Sequence, residues 1–381
     1  MVVKKRNLKK WLLFCIGSLL AIIGMLFIYH LYFSSIKLGF SAGLSGLKSE
    51  LGISGRNGAQ LAVEEINRNG GVRGRKVELL VMDDKNNAET ACVVDQKLAK
   101  QGVNIIIGHM VSSVAVDTVK NANENKILLI SPTIATDELS HIDDNFIRVI
   151  ASNKVQGYSL AKAVLRETTV RSIAIVYDEN NASFARIIKE NFEVQMKDSG
   201  ASVVATASFK NRSDFKNIIS EVRESKAEGI LLIASAIDAG MFCQQSRKQN
   251  LRLPVFSPMW TMTNDFIQAG GADAEGAYLI SQVDLENEEA TYVEFQKEYQ
   301  ERYGESPSFS SVLSYDAVRV AAVAIQEAGT DSSDQVKDAI LRVGEFSGLQ
   351  GHIKLDGFGD VKNSYYLYRV QDGVFKKVGR L

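Results

Sequence analysis

Short apolar runs alternate with amphipathic stretches along almost the whole chain, and this alternation constrains the fold more than any other feature. IKLGFSA (36–42), RKVELLVMDD (75–84), NIIIGH (104–109), KILLISP (126–132), SIAIVYD (172–178), SVVATASF (202–209), GILLIAS (229–235), LPVFSP (253–258) and GAYLISQ (276–282) each read as a strand. Helical stretches separate most of them. GISGRNGAQLAVEEINRNGG stops at Asn69-Gly70-Gly71, and ETACVVDQKLAKQG (89–102) supplies the next helix. Apolar strands alternating with amphipathic helices belong to parallel sheets covered on both faces. The predicted class is therefore α/β, with ligands at the carboxyl ends of the strands. Further helices are predicted over 292–303 and 312–328, and 352–381 reads as strands with a turn at Asp372-Gly373.

The chain also echoes itself. KILLISPTIATDEL (126–139) and LPVFSPMWTMTNDF (253–266) share a strand, a Ser-Pro and a threonine-containing loop running into Asp. Each follows an earlier strand-to-helix corner, GHMVSS in one case and ASAIDA (234–239) in the other. Two matches in the same order predict two lobes of equivalent topology whose strand ends face each other across a cleft.

Those corners hold the candidate chemistry. A helix N-terminus leaves backbone N–H groups unpaired, and its dipole favours negative charge. Ser112 and Ser113, beside Met110, add hydroxyls there, suiting either a carboxylate site or a simple helix cap. Thr133 and Thr136 lie on the next loop, where their hydroxyls suit either completion of the anion site or a turn set by Pro132 with Asp137 capping a helix. Met259 and Trp260 follow the second Ser-Pro, and a tryptophan at a strand end suits a lid over an apolar or aromatic ligand. Asp238 reads as a helix cap or a ligand group, and His109 as a core residue.

Catalytic patterns are missing from the sequence: no Walker loop, no G-x-S-x-G and no HExxH. The four histidines are scattered, with no metal-ligand spacing, so no metal, cofactor or enzymatic activity is expected. Gly52, Gly55 and Gly58 do not form the dinucleotide fingerprint. Cys92 and Cys243 are far apart and read as free core thiols.

The N-terminus differs from the rest. Residues 11–33, WLLFCIGSLLAIIGMLFIYHLYF, carry no charge and are long enough to span a bilayer as a helix. Lys4, Lys5, Arg6, Lys9 and Lys10 precede it in a basic tail, residues 1–10, which keeps that end in the cytoplasm. An uncleaved single-pass anchor is the expectation, with a signal cleaved after Ser34-Ser35 as the alternative. Either way the binding domain lies on the extracytoplasmic side of the cell membrane. Without the five tail cations the chain has 39 Lys and Arg against 45 Asp and Glu, a net charge of −6. Such a surface argues against a nucleic-acid partner.

Taken in order, IKLGFSAGLSG, GAQLAVEEINRNGGVRGRKVELLVMDD, IIIGHMVSS, LLISPTIATDEL, IAIVYDEN and GHIKLDGFGDV resemble the leucine/isoleucine/valine-binding proteins. These are type I periplasmic substrate-binding proteins of ABC importers, and the likeness covers nearly all of 36–381. The resemblance implies two doubly wound lobes joined by a three-segment hinge that closes on a small ligand. Residues 36–152 with 284–346 would form one lobe, and 153–283 with 347–381 the other. It implies an ABC permease and its ATPase subunits as partners, beside the membrane and a small-molecule ligand. A membrane-tethered sensor ectodomain is the alternative function.

Within that resemblance Ser112, with Ser113 adjacent, takes the position that holds the ligand's carboxylate. The family threonine after Ser-Pro falls on Ala135, leaving Thr133 or Thr136 to substitute. The glutamate that pairs with an amino acid's ammonium falls on Met259. A covering tyrosine falls on Ala182, beside Ser183 and Phe184, and another on Leu51. The carboxylate half of the site is better kept than the ammonium half. Either Asp238 or another acid takes over, or the ligand is an apolar or aromatic organic acid rather than an amino acid.

Overall fold

The computed structural model describes residues 15–19, 34–46 and 48–381. Cys15–Leu19 are helical and exposed; the basic tail and the remainder of the predicted anchor lie outside the described residues. Among the described residues no helix is long and apolar enough to cross a membrane.

Two parallel sheets organise the chain. The first holds β1 (Ile36–Ala42), β2 (Val77–Asp83), β3 (Ile105–Gly108), β4 (Leu128–Ser131) and β5 (Phe146–Arg148), in the order β2-β1-β3-β4-β5. The second holds β6 (Ser172–Asp178), β7 (Ser202–Phe209), β8 (Gly229–Ile233), β9 (Val255–Ser257) and β10 (Tyr278–Ser281). It is extended on the β10 side by antiparallel β13 (Tyr366–Gln371) and β14 (Val374–Arg380), giving β14-β13-β10-β9-β8-β6-β7. A separate hairpin pairs β11 (Glu345–Gly348) with β12 (Gly351–Lys354).

The central strands β3, β4 and β8 are buried along their whole length, as strands covered on both faces must be. Their covering helices in the first lobe are α1 (Glu50–Arg68), α2 (Ala88–Lys100) and α3 (Ala115–Asn125). In the second lobe they are α4 (Asn153–Glu167), α5 (Ala182–Asp198), α6 (Phe215–Glu224), α7 (Ala236–Lys248) and α8 (Asn264–Gly270). The chain then adds α9 (Ala290–Tyr303), α10 (Phe309–Ala328) and α11 (Ser333–Val343), with α10 packed along α1. That packing explains the early glycines. A Cβ on Gly58 would sit 2.0 Å from the Ser311 carbonyl oxygen, and one on Gly55 would meet the Met110 methyl at 2.2 Å.

β5 has no signature in the sequence, because three residues between turns are too few to show a period. β7 is an edge strand, and its outer positions are exposed in alternation. The turn at Asp372-Gly373 joins β13 to β14, with both residues at positive φ.

The chain passes between the sheets after Arg148, after Ser281 and after Val343, and two glutamines stitch these crossings together. Gln282 accepts from Ala151 N at 2.8 Å and donates to Val149 O at 3.0 Å. Gln350 accepts from Asp284 N at 2.9 Å and donates to Asp284 O at 2.7 Å. Each side-chain amide uses both its ends, so neighbouring crossings are held in register.

Candidate functional site

The echoed corners do face one another. The 3₁₀ turn Ser112–Val114 leads into α3 from the first lobe, and Met259–Thr261 follows β9 in the second. The repeated Ser-Pro has a local cause in each lobe. Ser131 Oγ donates to His109 O at 2.9 Å, and Ser257 Oγ donates to Leu232 O, so each serine ties its loop to the neighbouring strand.

Between the corners lies a cavity. Leu51, Met110, Val111, Ser112, Thr133 and Phe309 line it from the first lobe, Asn181, Phe184, Gln156, Met259 and Trp260 from the second, and Ile150 from the first crossing. Only about 20 Å³ is open to the centre of a water-sized sphere. Roughly 10–15 Å³ on that measure holds one water, so the lobes are closed. Phe184 and Trp260 form an edge-on aromatic wall, their ring centroids 5.5 Å apart.

Ser112 is 2 % exposed, and its hydroxyl has no hydrogen-bond partner among the described residues. Such a group is rare in a folded interior and costs about 1–3 kcal/mol where nothing compensates it. Thr133 is different: its hydroxyl donates to Met110 O at 2.7 Å, leaving only lone pairs to offer the cavity. Gln156 accepts from Met259 N at 3.3 Å and donates to Asn153 Oδ1 at 3.0 Å, so both its ends are occupied. No lining residue is charged.

Four predicted residues do not line the cavity. The Ser113 side chain is exposed, while its N–H reaches across to Asn181 Oδ1 at 3.1 Å. Thr136 is fully buried, capping the next turn and giving its carbonyl to Arg148 Nη1 at 2.7 Å. Ser183 is half-buried in the first turn of α5, and its neighbour Phe184 supplies the wall instead. Asp238 accepts from Arg212 Nε at 2.7 Å and Ser235 Oγ at 2.9 Å, so it is committed as a helix-terminal ion pair. It is not a free counter-ion for a ligand. Val111, Ile150, Gln156, Asn181 and Phe309 were not anticipated. Asn181 had one usable signal, its place at the end of SIAIVYD.

Three contacts close the mouth across the two lobes. Lys48 pairs with Asp178, Arg186 with Glu138, and Ser113 N–H with Asn181. The Lys48 ammonium also lies 5.8 Å from the Trp260 ring centroid.

Beneath the Ser112 corner, His109 is fully buried between Asp84, at 2.7 Å from Nδ1, and Asp95, at 3.1 Å from Nε2. Burial by itself would lower its pKa, but the two carboxylates override that and raise it to about 10, so it is an imidazolium. Cys92 and Cys243 are unpaired, and burial pushes the Cys243 thiol up to about 12. Among the described residues His141, Asp356 and Asp360 have metal-ligand chemistry at suitable spacing. Asp360, however, is taken up by Arg148 Nε at 2.7 Å and by His141 N at 2.9 Å.

Residues 35–374 match the family model described as periplasmic binding protein. The chain is similar to the leucine-, isoleucine-, valine-, threonine-, and alanine-binding protein of Pseudomonas aeruginosa, 24% identical over 340 residues, covering 88% of this chain and 89% of that protein. Among solved structures it is similar to the branched-chain amino acid transporter substrate-binding protein LivJ of Streptococcus pneumoniae in complex with isoleucine. The TM-score is 0.84, with 25% identity, over 91% of this chain and 99% of that one. A solute-binding protein of an ABC transporter from R. palustris, in complex with benzoate, superposes with TM-score 0.83 at 21% identity, over 91% of this chain and 96% of that one.

Proposed function

The chain belongs to the periplasmic binding protein family, and from that premise we propose that it captures a small, largely apolar carboxylate between its lobes for an ABC permease and its ATPase subunits. The observation that carries this reading is Ser112: a sealed hydroxyl without a partner among the described residues, at a helix-entry corner of an uncharged, mostly apolar cavity. A carboxylate supplies the missing acceptor, and the corner favours its charge.

The lobes, 36–152 with 284–346 and 153–283 with 347–381, turn about the stitched crossings. Residues 11–33 hold them to the cell membrane as a single-pass anchor, on the extracytoplasmic side. The absence of any acid among the lining residues favours an apolar or aromatic organic acid. Thr133 favours the second reading, an amino acid whose ammonium donates to its free lone pairs.

A thermal-shift screen of the full chain in detergent tests both readings, using leucine, isoleucine, phenylalanine, benzoate and phenylacetate. A ligand at 100 times its Kd stabilises by about 2.7 kcal/mol. Stabilisation by benzoate and phenylacetate alone selects the organic acid; stabilisation by the amino acids selects the other reading. Stabilisation by none of the five sinks both.

A further inference from the structure

Glu50 opens α1, one residue before Leu51 of the cavity wall. Its stem is half-buried, but both carboxylate oxygens are sealed from solvent, and neither takes a hydrogen bond from another of the described residues. Residues of both lobes surround it. Glu50 lines a second cavity, about 360 Å³ on the same measure, with Ser54 and Glu305 from its own lobe. Ile237, Thr263 and Asp265 line the same cavity from the other lobe. Thr263 is 7% exposed and likewise leaves its hydroxyl unpartnered among the described residues.

The surrounding charges offer no relief. Asp265 on α8 and Asp238 on α7 face Glu50 with like charge, and Glu305 lies on the same cavity. The nearest cation, Lys48, is engaged by Asp178, and the Arg212 guanidinium by Asp238. Burial first, then Asp265 and Asp238, push the Glu50 carboxyl up to about 7; its own N–H and Lys48 oppose this only in part. Burial raises Asp265 and Glu305 as well.

We propose that closing the lobes takes up one proton on Glu50, so that capture of the ligand is proton-linked. The proposal rests on the hinged two-lobe reading but not on the identity of the ligand. Below about pH 7 the sealed carboxyl of the closed form is neutral. In the open form lobe 2 withdraws, water returns and the proton leaves. The sign follows from a carboxyl whose pKa is higher closed than open. Closure is most favourable below the ordinary value of 4.5, weakens up to tenfold per pH unit between 4.5 and about 7, and levels off above.

Trp260 packs on Phe184 of its own lobe, and its ring centroid lies 5.8 Å from the Lys48 ammonium of the other, so its fluorescence reports closure without added ligand. The full chain carrying Trp11→Phe, which removes the other tryptophan, is titrated from pH 4.5 to 8.5. The expected closed fraction falls as pH rises, and Glu50→Gln abolishes that fall and stays closed at pH 8. A profile that is flat in the parent, or unchanged by Glu50→Gln, overturns the proposal. Should Glu50→Gln not fold, Asp265→Asn decides. Removing its like charge must move the titration to lower pH, and an unmoved titration is equally fatal. Failure of leucine and benzoate to bind would overturn the ligand class and leave this result standing.

Discussion

Ser112 and His109 stand three residues apart and treat their polar groups in opposite ways. His109 is saturated by two carboxylates in a sealed pocket, which pins the corner. Ser112, on the corner's outer side, leaves its hydroxyl unspent. Ser112→Ala breaks no protein hydrogen bond, so thermal stability without ligand should be unchanged. Titration calorimetry with whichever of benzoate or leucine binds should show a loss of about 1–3 kcal/mol; unchanged affinity would remove Ser112 from the site. The serine was legible because its setting is local, a strand end followed by a helix start. Asp238 was not. Its partner Arg212 lies 26 residues away, and only the packing of α7 reveals the ion pair. Thr136 misled for a similar reason, since the buried Arg148 that claims its carbonyl comes from β5, the strand with no visible period.

At the scale of elements, strands buried on both faces announce themselves as unbroken apolar runs, which is why β3, β4 and β8 could be read directly. The spacing of Gly52, Gly55 and Gly58 was read only as not being a dinucleotide fingerprint. It is a packing signal: Gly55 and Gly58 leave bare backbone where α10 crosses α1, and Gly52 where the Gly43 carbonyl approaches. Gly58→Ala places a methyl 2.0 Å from the Ser311 carbonyl, a backbone atom with no rotamer to yield. Urea denaturation should show a loss of about 1–3 kcal/mol through overpacking, and a neutral substitution would mean that the two helices separate easily. The partner helix could not be named from sequence, because the α1–α10 contact spans some 250 residues.

For the whole molecule, the charged pairs that cross the mouth between the lobes let single residues bear on closure. Lys48 is the clearest. Asp178 spends Oδ1 on Asn180, and its side chain is fully buried, so Lys48 is its cation in the closed form. Lys48→Ala should leave each lobe folded yet weaken closure by about 2 kcal/mol, roughly thirty-fold in ligand affinity by calorimetry. Affinity equal to that of the parent chain would make the pair incidental.

The tightness of the closed cavity has a kinetic side. With room for about one water, the cavity admits nothing while shut, so arrival and departure both wait on the crossings to swing open. The opening rate then sets the ceiling on how fast a bound solute leaves. Association in turn saturates at that rate as solute concentration rises.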